Sequence, residues 1–178
     1  LFKEQLRAIL RAGASGRVGL MFPLISGIGE VREAKSLLAD CVEELTARGE
    51  EFNPEIAVGA MIEVPSAAMV AADIAAEVDF LSIGTNDLVQ YTVAVDRVNP
   101  RVAKLYRASH PGVIRLIKTV IDGASQHDIW TDGSPRDLST LSPEEQADWL
   151  EDTHTGIYVV DLRKDGFVSL DASEEGSL

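Results

Sequence analysis

The sequence predicts an α/β protein: a mostly parallel sheet covered by helices. Two observations carry this. The strand candidates are continuous apolar runs rather than alternating ones, which marks strands buried on both faces. These runs alternate at least three times with segments of helical period, the pattern of strand–helix–strand units.

Taken in order, "LFKEQLRAILRAGASG" reads as a helix with Leu1, Phe2, Leu6, Ile9 and Leu10 on one face, ended by Gly13 and Gly16. "VGLMFPLI", residues 18–25, is a short buried strand with its exit at Pro23. "EVREAKSLLADCVEELTARG" is a long amphipathic helix. Val31, Ala34, Leu38, Cys41, Val42 and Leu45 recur at helical spacing, and Gly49 suits a C-terminal cap. "EIAVGAMIEVP", residues 55–65, is the second strand. "SAAMVAADIAAEV" reads as one small-residue helix begun by Pro65. "DFLSIGTND" is the third strand, and "HPGVIRLIKTVIDGA" a further helix with proline at its start.

The chain changes character near residue 130. Residues 1–130 hold 17 acids and 13 bases, whereas residues 131–178 hold 12 acids and 3 bases. The expected organisation is therefore an α/β domain over 1–130 and an acidic tail over 131–178. Within the tail, a helix is expected over 143–150, capped by Ser142 with Glu145 completing a capping box. Two short β runs in "GIYVVDLRKDGFVSLD" are joined at Asp165-Gly166, a hairpin signal. "ASEEGSL" reads as a frayed end.

Composition narrows the function classes. The net charge is −13, which disfavours binding to a nucleic-acid backbone. No apolar run is long enough to span a bilayer, and no basic-then-apolar leader opens the chain, so neither a membrane nor an exported setting is expected. The chain opens on Leu1 rather than Met, which predicts a further part upstream. The single cysteine, Cys41, allows no internal disulfide and no cysteine metal cluster; a reducing, cytoplasmic setting fits, and Cys41 is expected to be a buried packing residue.

Function in a parallel α/β sheet collects where strands end and loops begin. Two acids stand at such places: Glu63 after "VGAMI", and Asp87 after "FLSIGTN". One helix separates the strands, so neighbouring positions put both carboxylates on one rim. Two carboxylates there repel, and a hard divalent cation relieves the cost. Mg²⁺ takes one or two protein carboxylates and completes its octahedron with water and substrate oxygens. Asn86 adds an amide donor, and Arg97 a permanently charged fork for phosphate or carboxylate. The pattern also has an ordinary reading: Glu63 as a solvated loop residue, Asn86-Asp87 as a turn with Asp87 capping the next helix, and Arg97 paired with Asp96 or another acid.

The longer string "MIEVPSAAMVAADIAAEVDFLSIGTNDLVQYTVAVDR" resembles the phosphoenolpyruvate-binding domain of enzyme I of the sugar phosphotransferase system, the phosphoenolpyruvate–protein phosphotransferase. "LFKEQLRAILRA" and "LMFPLISG" resemble the segments that precede it there, and "HPGVIRLIKTVIDGA" the one that follows, so the resemblance runs from Leu1 to about Trp130. Pyruvate phosphate dikinase and phosphoenolpyruvate synthase share the Glu-x-Pro and Gly-Thr/Ser-Asn-Asp strings, but "QYTVAVDR" favours enzyme I. The resemblance implies part of a (β/α)₈ TIM-type barrel with its site at the C-terminal rim, capped here by a divergent helix–hairpin tail. It implies Glu63 and Asp87 as Mg²⁺ ligands, with Asn86 and Arg97 binding the substrate. It also implies a phosphoryl group passed to a histidine and on to a phosphocarrier protein.

The departures bear equally on function. The accepting histidine of the family lies in a separate N-terminal domain, and further substrate-binding arginines lie on strands upstream of Leu1. His110 fits a helix start, and His127 and His154 a polar surface. Where the family carries a Gly-Met-Cys-Gly-Glu string, with a cysteine implied to protonate the enolate, this chain reads "IWTDGSPRDLS". Cys41, on a helix between the first two strands, does not replace it. Phosphoryl transfer by this chain alone is therefore not expected. Three readings remain: a phosphoenolpyruvate-binding portion of a phosphotransferase, an inactive remnant acting as a ligand-binding or regulatory module, and a lyase or aldolase on the same barrel. About half a barrel exposes strand edges and an apolar sheet face, which predicts a partner chain, a homo-oligomer or a weakly stable fold, with the hairpin covering an open edge.

Overall fold

The computed structural model describes residues 1–16, 18–127, 129–132, 158–161 and 168–169. Its sheet has six strands in the order β4-β3-β2-β1-β5-β6. These are β1 (Val18–Phe22), β2 (Ala57–Ile62), β3 (Phe80–Ile83), β4 (Trp130–Asp132), β5 (Tyr158–Asp161) and β6 (Val168–Ser169). The pairs β1–β2, β2–β3 and β3–β4 are parallel. On the other side, β5 runs antiparallel to β1, and β6 antiparallel to β5. The described residues form an open α/β sheet rather than a closed barrel.

Helix α1 (Phe2–Ala12) packs through Leu6, Ile9 and Leu10. Leu1 is 92% exposed and Phe2 37%, so the two N-terminal apolar residues do not extend that buried face as expected. Helix ends fray, and Phe2 instead meets the ring of Phe22 at the end of β1, with centroids 6.3 Å apart. Helix α2 (Ile28–Arg48) buries Val31, Leu38, Cys41 and Leu45, and Gly49 ends it in the left-handed conformation at φ 64°. Cys41 is buried, its Sγ–H donating to the Lys3 carbonyl at 3.6 Å.

The small-residue segment after β2 is two helices, not one: α3 (Pro65–Met69) and α4 (Ala71–Ala75). Between them Val70, at φ −114° and ψ 26°, leaves the helical region. The redirected α4 lies directly on α6 (Pro111–Ser125), where a Cβ on Gly123 would come within 2.8 Å of the Ala72 nitrogen. Close packing between backbones overrides the local helix preference of an Ala-rich run. Helix α5 (Thr85–Val93) starts directly after β3, and a 3₁₀ turn (Ala103–Leu105) follows it.

The face of the sheet opposite the main core carries Met21, Met61 and Phe80, all buried, so the expected open apolar face is not found there. Phe80 lies over Gly59, where a Cβ would meet its ring at 2.3 Å. No helix among the described residues is long and apolar enough to cross a membrane. The expected helix over 143–150, the Asp165-Gly166 turn, His154 and the 172–178 end lie outside the described residues.

Candidate functional site

Strands β2 and β3 are parallel neighbours with Ile62 opposite Ile83. The next residue of each, Glu63 and Gly84, therefore leaves the sheet at the same C-terminal rim. The Gly84 N–H donates to the Ile62 carbonyl at 3.1 Å, and α5 begins at the following residue. The strand-to-helix turn places Asn86 and Asp87 in the first turn of α5. Asp87 is thus an acid within the positive end of the helix rather than its cap, which is Gly84.

Glu63 is 2% exposed. Its Oε1 accepts the Leu24 N–H at 2.7 Å, from the loop after β1. Leu24 adopts φ 51°, a left-handed conformation that a leucine holds only at a cost of about 1–2 kcal/mol. Gly84 leaves the space the glutamate occupies: a Cβ there would sit 2.6 Å from Glu63 Cβ and 2.7 Å from its Oε2. Burial raises the Glu63 pKa to about 7; the Leu24 N–H and Arg97 pull it down, and the Asp87 charge pushes it further up.

Asp87 is 8% exposed, and its Oδ1 lies 3.5 Å from Arg97 Nη1. Arg97 therefore pairs with Asp87 and not with its sequence neighbour Asp96. The Arg97 backbone N–H donates to Gln90 Oε1 at 3.1 Å, which fixes the loop after α5. The Tyr106 hydroxyl contacts the Asn86 carbonyl at 3.1 Å and Asn86 Oδ1 at 3.2 Å. A hydroxyl donating to Oδ1 turns the Asn86 amide nitrogen away from Tyr106. His110 caps α6, its Nδ1 accepting the Gly112 N–H at 3.1 Å, and His127 is exposed.

All four candidate side chains, Glu63, Asn86, Asp87 and Arg97, thus stand on or beside the C-terminal ends of β2 and β3. Sequence reasoning missed Leu24, Gly84, Gln90 and Tyr106, which hold them. Gly84 carried a signal, being a glycine between a buried strand and a polar pair; a backbone N–H in an unusual conformation carries none. Among the described residues no group of three or more His, Cys, Asp or Glu could hold a metal ion. A buried carboxylate beside a second one remains chemically suited to a hard cation that needs only one or two protein ligands.

The fold and the rim define a class: a parallel α/β protein with paired carboxylates and an arginine at the strand C-termini, the place where such sheets bind ligands. A family model described as "PEP-utilising enzyme, PEP-binding domain" matches residues 1–133, and the chain belongs to that family. It is 49% identical over 131 residues to the phosphoenolpyruvate-protein phosphotransferase of Listeria monocytogenes, covering 74% of this chain and 23% of that protein. The protein of the same description from Bacillus subtilis is 47% identical over 130 residues, with coverage of 73% and 23%. That from Mycoplasma capricolum is 45% identical over 130 residues, with the same coverage. The chain spans about a quarter of the length of these relatives. A solved citrate lyase from Burkholderia xenovorans aligns with a TM-score of 0.54 at 23% identity over 77% of this chain and 43% of that one, which shows a shared fold alone.

Proposed function

We propose that this chain is the phosphoenolpyruvate-binding portion of an enzyme I-type phosphotransferase of the cytoplasm. In this reading Mg²⁺ is held by Glu63 and Asp87, and the rim forms part of a larger (β/α)₈ barrel. The observation that carries it is the buried Glu63, whose charge is disfavoured by burial and by Asp87. A divalent cation offsets both. Bound there, the ion supplies positive charge for the phosphate and for the enolate left when the phosphoryl group departs. Arg97 grips the phosphate, exchanging its half-buried pairing with Asp87 for the ligand. The Asn86 amide donates to a substrate oxygen. The phosphoryl group then passes from phosphoenolpyruvate to a histidine outside these residues, and from it to a phosphocarrier protein.

A second reading, a binding module that does not complete transfer, is favoured by the sequence after residue 130. There "IWTDGSPRDLS" stands in place of the cysteine string, and the family match ends at residue 133.

Calorimetric titration with phosphoenolpyruvate, with and without Mg²⁺, tests the site. We expect saturable, metal-dependent binding that Asp87→Ala abolishes. Arg97→Ala is expected to weaken binding by more than its stability loss accounts for, a loss of about 1–3 kcal/mol because the half-buried pair leaves the buried Asp87 carboxylate without this arginine. No binding by the folded chain would overturn the assignment, and unfolding of Arg97→Ala in step with lost binding would make Arg97 structural.

A further inference from the structure

An acidic protein that binds a small anion faces an electrostatic problem: its own field repels the ligand. The chain carries a net −13, yet residues 97–121 contain six bases (Arg97, Arg101, Lys104, Arg107, Arg115 and Lys118) and not one Asp or Glu. Arg97 is the arginine of the rim, and Lys118 pairs with Asp122 on its own helix. Arg101, Lys104 and Arg107 are exposed, and none has a carboxylate partner among the described residues.

The loop that bears Arg101 and Lys104 is tied to the site at both ends, and Arg107 follows its second tie directly. It leaves from Arg97, beside Asp87, and returns at Tyr106, whose hydroxyl lies on Asn86. Chain length then bounds their distance from these two anchoring residues. An extended chain spans at most about 3.6 Å per residue, so the Arg101 Cα lies within about 14 Å of that of Arg97. By the same bound Lys104 lies within about 7 Å of Tyr106, and Arg107 within about 4 Å. At low salt these separations are comparable to the Debye length of about 10 Å at 0.1 M. A cluster of one sign at a site mouth concentrates oppositely charged ligands and speeds their capture.

We propose that Arg101, Lys104 and Arg107 form an electrostatic collector that draws an anionic ligand, one bearing both phosphate and carboxylate, to the rim. This rests on the ligand-binding reading of the rim and assigns three residues outside the four of the site. The collector acts at a distance; the grip belongs to Arg97.

The test is calorimetric titration of the full chain with phosphoenolpyruvate at fixed Mg²⁺ across a range of added KCl. The triple variant R101Q/K104Q/R107Q is compared with wild type, and urea unfolding verifies that both are folded. A control, R11Q/R48Q, removes positive charge at the opposite end of the strands, where both arginines pair with Glu50. In the triple variant we expect binding weakened about threefold to tenfold at low salt, the difference vanishing as salt shortens the Debye length toward about 3 Å at 1 M. The control should follow the wild-type salt dependence. Parallel salt dependences for wild type and triple variant overturn the collector while leaving the site reading intact. That is also the outcome if the exposed Val98 and Leu105 mark this loop as a docking surface for an acidic protein instead. Equal weakening per charge removed in the control overturns it too, reducing the effect to net charge. No saturable binding by wild type overturns the collector and the site reading together.

Discussion

The Leu24 N–H donates to Glu63 Oε1 at 2.7 Å, joining the loop after β1 to the end of β2 beneath the rim. One carboxylate oxygen is thereby fixed by the backbone, while the other packs against Gly84. The bond favours the charged glutamate, but burial outweighs it, and the pKa lies near 7.

That balance predicts a pH dependence in the metal-free protein. The folded-state pKa is above the ordinary glutamate value, so the folded state binds more protons between about pH 4.5 and 7. The stability Glu63 contributes is complete below that window and is lost as pH rises through 7. A rise from 4.5 to about 7 corresponds to at most about 3.5 kcal/mol, less where solvent screens the group. Glu63→Gln keeps the acceptor for Leu24 and removes the titration. Urea unfolding of both proteins from pH 4.5 to 8 should show the variant gaining on wild type with rising pH. A constant difference would place the Glu63 pKa in its ordinary range.

Gly84→Ala should break the site's packing. The new Cβ would sit 2.6 Å from Glu63 Cβ, a backbone-anchored atom that cannot swing aside. Overpacking of this kind costs about 1–3 kcal/mol and displaces the neighbour. Thermal unfolding should show the loss, and Mn²⁺ affinity should fall with it. Tolerance of the alanine at full stability would show that the turn between β3 and α5 yields at this point.

Tyr106→Phe removes one hydroxyl and nothing else. It should cost about 0.5–1.5 kcal/mol, the range for one hydrogen bond, and leave Mn²⁺ binding intact. Phosphoenolpyruvate affinity should drop more than that stability loss explains, because the Tyr106 hydroxyl no longer helps to orient the Asn86 amide. If ligand affinity is unchanged, Tyr106 serves only the loop.

The parts of this architecture visible in the sequence are those dictated by short-range physics. Continuous apolar runs located β1, β2 and β3, the helical stripe located α2, and Gly49 marked its end because φ 64° suits glycine. The proline after His110 marked the start of α6. What was hidden depends on tertiary packing. An Ala-rich run gives no sign that Val70 breaks it, nor that the segment beyond the break packs backbone to backbone against Gly123 of a helix fifty residues on. "GTND" reads as the end of the third strand or as a turn with Asp87 capping the next helix, whereas α5 already begins at Thr85 with Gly84 as its cap. Its two polar residues were identifiable as functional candidates, whereas Leu24 and Tyr106, which hold Glu63 and Asn86, are ordinary residues until the chain is folded.

Gly59 and Phe80 should be energetically coupled. They pair in register across β2 and β3, and the fully buried Phe80 ring occupies the space a Gly59 side chain would need. Gly59→Ala alone forces a methyl to within 2.3 Å of that ring and should cost about 1–3 kcal/mol or more, because neither strand can move freely. Phe80→Leu alone leaves a void and should cost a similar amount. Combined, the added methyl enters the space the smaller side chain vacates, so the double variant should be less destabilised than the sum by at least about 0.5 kcal/mol. Urea unfolding of the four proteins measures this. Additive costs would mean that the ring reorients away from Gly59 in solution, and that the second core cluster is not packed through this pair.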